Sequence, residues 1–217
     1  MNSRNKYLNK GFKNVEGWFE KQSLSVIALL SDLQINKSLN GSLIEIGVHH
    51  GRSFILLNLC LNIDELSIAY DIFDNQEQNL DNSGLGDKKI LLDNLKNNNG
   101  LLEKVRNIQE NSMNLNSDKI LNESKKKARI FIVDGGHTYK IVYNDLKLAA
   151  EMLCDGGFIV VDDVFDFSFP EVSVALIDFL KKQKKLIPFL ILEDKVFITN
   201  SEYFSSIYKN IIIKNEN

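Results

Sequence analysis

Short unbroken apolar runs alternate along this chain with stretches in which apolar residues return every three or four positions. Ser42–Ile46, Leu66–Tyr70, Arg129–Val133 (RIFIV) and Phe158–Val161 (FIVV) are runs of the first kind, and Val105–Ile108 is a weaker one. Their β-branched and aromatic content predicts strands. Val15, Trp18, Phe19, Val26, Ile27, Leu30 and Leu33 recur at helical spacing and predict an opening helix. Arg52–Leu61 is apolar enough for a buried helix. Val142, Leu146, Ala149 and Leu153 mark one face of another, which should stop before Asp155-Gly156-Gly157. After Pro170, Val172, Leu176 and Leu180 line a further helix with Lys181, Lys182, Lys184 and Lys185 at its end. Ile187–Leu192 and Val196–Thr199 are separated only by Glu193-Asp194-Lys195, which predicts an antiparallel hairpin.

Strands alternating with helices imply parallel β-α-β units, with helices on both faces of an open sheet. Continuous apolar strands agree, since such strands are buried on both faces. The expected fold is therefore α/β: a single-domain, Rossmann-like, doubly wound, mostly parallel sheet with a C-terminal antiparallel hairpin. Residues 1–40 form its N-terminal helical segment, 41–200 the core and 201–217 a C-terminal tail. No repeat is visible, and two prolines give no Pro-rich linker. In such sheets ligands bind beyond the carboxyl ends of the strands, which directs attention to polar residues just after each strand.

Composition narrows the classes. Of the 217 residues, 44% are hydrophobic and 25% charged, ordinary for a globular domain able to bury a core without staples. Cys60 and Cys154 are the two cysteines, which fits core thiols in a reducing, cytoplasmic setting better than a disulfide framework. No secretory leader and no membrane-length apolar run is expected. The net charge of −3 argues against a nucleic-acid partner.

Leu43-Ile44-Glu45-Ile46-Gly47-Val48-His49-His50-Gly51-Arg52-Ser53 reads as strand, tight turn and helix start. Gly47 can take positive φ and admit a ligand closely, Gly51 allows close packing, and Ser53 can satisfy N–H groups of the first helical turn. The spacing G-x-x-x-G is neither the dinucleotide fingerprint nor a phosphate loop. A carboxylate at Glu45 would repel a pyrophosphate but suits a cationic or hydroxyl-bearing ligand. EIGVHHGRS resembles the first motif of class I methyltransferases: an acidic residue, two spaced glycines, then often serine. That resemblance implies S-adenosylmethionine as cofactor, with Glu45, Gly47, Gly51 and Ser53 along its methionine end. It also implies Asp71, at the end of SIAYD, on the ribose hydroxyls, and Ser112 and Met113 of Asn111-Ser112-Met113 near the adenine.

Asp134 follows the fourth strand in Val133-Asp134-Gly135-Gly136-His137-Thr138-Tyr139, and Asp162-Asp163 ends the fifth. Adjacent strands lie about 4.8 Å apart, so three carboxylates there converge, which is costly without a cation. Oxygen donors select a hard ion such as Mg²⁺. The alternative is that Asp134 caps the helix beginning near Tyr139 while Asp162 and Asp163 occupy a solvated loop. The pattern D-x-x-H, G-G and D-D is similar to macrolide-sugar O-methyltransferases and the cephalosporin-hydroxylase group. Catechol O-methyltransferases are similar too, with lysine for the histidine and asparagine for the last aspartate. The resemblance runs from about Val15 to Asn200. It implies a divalent metal on Asp134, Asp162 and Asp163, with Asp134 also beside the cofactor, and His137 as general base for O-methyl transfer to a small hydroxylated acceptor. A sugar stands ahead of a catechol as that acceptor, and a homo-oligomer is left open. A metal-dependent hydroxylase-like enzyme and a non-catalytic cofactor-binding domain are the rival readings.

His49 and His50 are adjacent and expected to point apart, as packing for the turn rather than joint ligands. The polar segment Asp74–Gly86 either contributes substrate contacts or is a surface loop. Asp145, inside a helix, reads as structural, and Trp18 with Phe19 as a lid or subunit contact.

Overall fold

The structure, a computed structural model, describes residues 2–215. Among these residues seven strands form one sheet, in the order β3-β2-β1-β4-β5-β7-β6. They are β1 (Ser42–Ile46), β2 (Ser67–Asp71), β3 (Val105–Gln109), β4 (Ala128–Val133), β5 (Leu153–Val161), β6 (Ile187–Leu192) and β7 (Lys195–Thr199). The first five run parallel, and β7 pairs antiparallel with both β5 and β6. The expected doubly wound sheet and terminal hairpin are both present. Four of the parallel strands are apolar runs because helices cover both faces; β3 reads weakly because it is an edge strand and half exposed. Pro188 is tolerated in β6 because that strand is the other edge.

Two apolar layers hold the sheet. One face packs Leu43, Ile130, Ile132, Phe158 and Phe197 against α1 (Ser3–Asn9), α2 (Lys21–Asn36) and α3 (Arg52–Leu59). The other packs Ile44, Phe131, Val133, Ile159 and Val161 against α5 (Ser117–Ser124), α6 (Tyr139–Met152) and α7 (Pro170–Lys182). The helix α4 (Lys88–Asn97) adds Leu91 and Leu95 to the first layer.

Four local expectations need correction. The helix predicted from Val15 is extended as far as Glu20 and begins only at Lys21. Gly17 takes φ +152°, and Trp18 is 68% exposed, so the apparent helical spacing there is coincidental. Leu153 opens β5 rather than closing α6, and Asp155-Gly156-Gly157 lies inside that strand, with Gly156 at φ +80°. The segment read as a C-terminal tail, residues 201–217, is more than that over its described part, 201–215. There α8 (Glu202–Lys214) lays Phe204 over Gly156, and its Tyr208 hydroxyl donates to the Gly156 carbonyl at 2.6 Å. Lys195, read as turn, is the first residue of β7 and only 2% exposed. The turn itself is Glu193-Asp194, with Glu193 at φ 57°.

Candidate active site

Between β1 and β4 the sheet order reverses, and the carboxyl ends of these strands open a crevice. Gly47, at φ +84°, packs so tightly that a Cβ there would run into the carbonyl of Asp134. Gly51 begins α3 in the left-handed conformation, φ +91°, with the Leu91 side chain filling the space a Cβ would need. Ser53 does not cap α3 as expected. Its hydroxyl donates to Glu45 Oε1, because the turn brings the buried carboxylate within reach. Glu45 Oε2 is buried with no hydrogen-bond partner. Burial chiefly, against the Ser53 hydrogen bond and with help from Asp162 and Asp71, pushes the Glu45 carboxyl up to about 8. An unpartnered carboxylate oxygen beside two cramped glycines fits a cationic ligand such as the sulfonium or ammonium of S-adenosylmethionine.

Asp71 ends β2 as expected, but much of its hydrogen-bonding capacity is used within the chain. Its Oδ2 accepts the amides of Val48 and His49 at 2.9 and 2.8 Å, and Oδ1 accepts that of Phe73 at 2.6 Å. Burial raises its pKa against those three amides. One Oδ1 lone pair remains, enough for one hydroxyl of a ribose rather than both. Ser112 and Met113 lie in a 3₁₀ turn after β3, where the Asn111 side chain accepts from the Met113 amide at 2.9 Å. Met113, Asn111, Gln78, Leu80 and Ile141 line a cavity of about 300 Å³. Behind this turn Asp145 is fully buried and pushed up to about 7 by that burial. It accepts from Asn144 at 3.2 Å, in keeping with a structural role.

The acidic cluster divides into two. Asp134, His137 and Asp163 offer ligand atoms within 4.8 Å of one another, and so do Asp162, Asp163 and Asp194. The trio Asp134, Asp162 and Asp163 does not form such a group. Asp162 is engaged by the ammonium of Lys195 at 2.7 Å, and Lys195 also reaches Asp194 at 2.6 Å and lies 4.5 Å from the centre of the Phe19 ring. Burial opposes the charge on Lys195, but the carboxylates outweigh it and raise its pKa. Burial, then the charges of Asp162, Asp163 and Glu45, raises Asp134 well above the usual carboxylate range. A cleft of about 10 Å³ is lined by Asp134, His137, Asp162 and Asp163, room for about one water-sized sphere. The helix-capping alternative for Asp134 fails, since the Tyr139 amide at the start of α6 donates to Glu171 at 2.6 Å.

His137 is clamped on both ring nitrogens. Nδ1 lies 3.0 Å from Asp81 Oδ2 and Nε2 lies 2.9 Å from Asp163 Oδ2. Phe169 stacks on the ring at 3.7 Å. Burial works against the imidazolium, but Asp163 and Asp81 outweigh it and raise the pKa. Asp81 also accepts the His137 amide at 2.6 Å, so the polar loop is folded onto the site. Asp81, in the polar loop expected either to touch substrate or to lie on the surface, reaches His137, and Lys195 reaches Asp162; neither partnership is legible in the sequence. A loop acid and a presumed turn lysine carry no local signal of their destination.

Strand order, an antiparallel β7, and acids at the tips of β1 and β2 define a class I methyltransferase fold. A model of the methyltransferase domain family matches residues 44–164, more than half of the chain, and the chain belongs to that family. No curated protein sequence matches it significantly. Among solved structures it is similar to the O-methyltransferase NovP, at 20% identity over 82% of this chain and 79% of that one, with a TM-score of 0.69. It is also similar to an O-methyltransferase from Bacillus cereus in complex with SAH, at 14% identity, 90% and 89% coverage and TM-score 0.63. A third is CalS11, a TDP-rhamnose 3'-O-methyltransferase of calicheamicin biosynthesis, at 12% identity, 91% and 92% coverage and TM-score 0.58.

Proposed function

We propose that this methyltransferase moves a methyl group from S-adenosylmethionine to an oxygen of a small hydroxylated acceptor, a sugar or glycosylated metabolite ahead of a catechol, with a divalent cation assisting. The observation that carries this reading is the convergence of Asp134, His137 and Asp163 beside the Glu45 turn, at the switch point of the sheet. CalS11 methylates a nucleotide sugar, TDP-rhamnose, and its likeness to this chain supports the acceptor class. Two unpaired cysteines agree with a reducing cytoplasm, and no helix among the described residues is long and apolar enough to cross a membrane.

Glu45, Gly47, Gly51 and Ser53 would hold the methionine end of the cofactor, Asp71 a ribose hydroxyl, and Ser112 and Met113 the adenine side. The cofactor, when bound, supplies a methyl group on a positively charged sulfur. Asp134 and Asp163 would hold a cation more readily than Asp162, which Lys195 already neutralises, and His137 stands beside them as the base. Such an ion would acidify and orient an acceptor hydroxyl. Asp81 fixes His137 by accepting Nδ1–H, which leaves Nε2 as the nitrogen facing the cleft. With both ring nitrogens facing carboxylates the ring is held as an imidazolium. Nε2 would become a base only once it has given up its proton and Asp163 has let go of it. The cation site and the base are thus linked through one carboxylate.

Transfer of radiolabelled methyl to a panel of glycosides and catechols tests the reading. Turnover should fall about 100-fold or more in His137→Ala and collapse on exhaustive chelation. Unchanged turnover in that variant would remove the base, and full activity after chelation would remove the metal.

A further inference from the structure

The glycine-rich turn carries a second group of metal-ligating side chains, sharing no residue with the acidic cleft. Glu16, His49 and His50 each present a ligand atom, all within 4.8 Å of one another. His50 Nδ1 lies 3.1 Å from Glu16 Oε2, and the two imidazoles stack at 3.8 Å with 27° between their planes. Consecutive side chains in a regular strand point to opposite sides. Here His49 takes φ 48°, held by Asp71 through the amides of Val48 and His49, and both rings come together. His49 Nδ1 is buried with no hydrogen-bond partner. A buried ring nitrogen ordinarily finds one. Trp18 leans over the same ring, centroids 5.0 Å apart.

We propose that Glu16, His49 and His50 form a transition-metal site that ties the N-terminal segment to the cofactor turn. Two imidazoles and one carboxylate suit zinc, nickel or copper, whereas magnesium prefers oxygen donors alone. Zinc–ligand bonds of about 2.0–2.1 Å set tetrahedral ligand atoms about 3.4 Å apart. The His50–Glu16 pair already stands near that spacing, the exposed side chain of Glu16 can swing toward His49, and a rotation of the His49 ring would close the gap between the two imidazoles. Water completes the coordination on the open side. An ion here bridges two segments that flank α2 and β1 in sequence, and it holds the strand of chain around Gly17 over the turn.

Cobalt(II), whose visible absorption reports its ligands, is the probe, with zinc as displacing ion. In the intact protein one equivalent should give a d–d band that zinc abolishes. The band should survive in the Asp134→Asn, Asp163→Asn double variant. Cobalt affinity should weaken about 10-fold or more in His49→Gln and in His50→Gln, and also in Glu16→Gln. Glu16 is exposed, so its variant keeps the fold, and circular dichroism checks the histidine variants. Absence of a band, a band indifferent to all three substitutions, loss of the band in the double aspartate variant, or thiolate charge-transfer absorption would each overturn the proposal.

Discussion

Glu45 shows how burial sets chemistry at a single residue. Ordinary carboxyls titrate near 4.5, whereas burial moves this one to about 8. A carboxyl whose folded pKa lies above its unfolded value favours the folded state fully below the unfolded value, and that contribution is lost as pH rises through the folded one. Urea unfolding should therefore show the native chain losing stability relative to Glu45→Gln between about pH 5 and pH 8. Parallel stability profiles would mean that Glu45 titrates normally. His137 has a different balance: two carboxylates overcome the cost of burying its charge. Lys195 plays the corresponding part for Asp162, so the most acidic corner of the molecule carries its own cation. These pairings depend on which loop folds over which strand end. That is why Asp134, Asp163 and His137 could be picked out from their places after strands, while Asp81 and Lys195 could not.

Among the elements, the strands were legible because parallel strands buried on both faces leave continuous apolar runs, and β3 was faint because its edge position relaxes that demand. The opening helix was misplaced because Val15, Trp18 and Phe19 happen to match a helical period. Val15 and Phe19 instead pack into the core from extended backbone, while Trp18 faces outward. At the opposite end of the sheet from the site, Arg129 joins β4 to α2 and to the loop before β2. Its guanidinium meets both oxygens of Glu65 at 2.8 and 2.9 Å, and donates to Ser31 and Gln34 at 2.9 Å and to the Cys60 carbonyl at 2.8 Å. Sequence gives no hint of it, since an arginine opening an apolar strand looks like a solvent-facing end. Removing one partner of such a buried pair leaves an uncompensated charge. Glu65→Ala should cost about 3–5 kcal/mol in denaturant unfolding, and a loss below about 1 kcal/mol, the range of exposed pairs, would contradict this role.

At the scale of the whole molecule, the fold delivers three things to one edge: a glycine turn with a buried acid, an acid closing the neighbouring strand, and a clamped histidine among aspartates. The turn is the cofactor site proposed above, a reading supported by membership of a methyltransferase family and by the unpartnered Glu45 oxygen. The acidic cleft adds the oxygen-directed chemistry proposed for it, and the tight contact of Gly47 with the Asp134 carbonyl joins the two physically. The most direct measurement is calorimetric titration with S-adenosylmethionine near pH 7 in buffers of different ionisation enthalpy. Saturable binding of one molecule per chain is expected, with a proton released as Glu45 yields to the cofactor's positive charge. That proton should be absent in Glu45→Gln. A chain that takes up no S-adenosylmethionine, or takes it up with no difference in proton release between the two proteins, would contradict it.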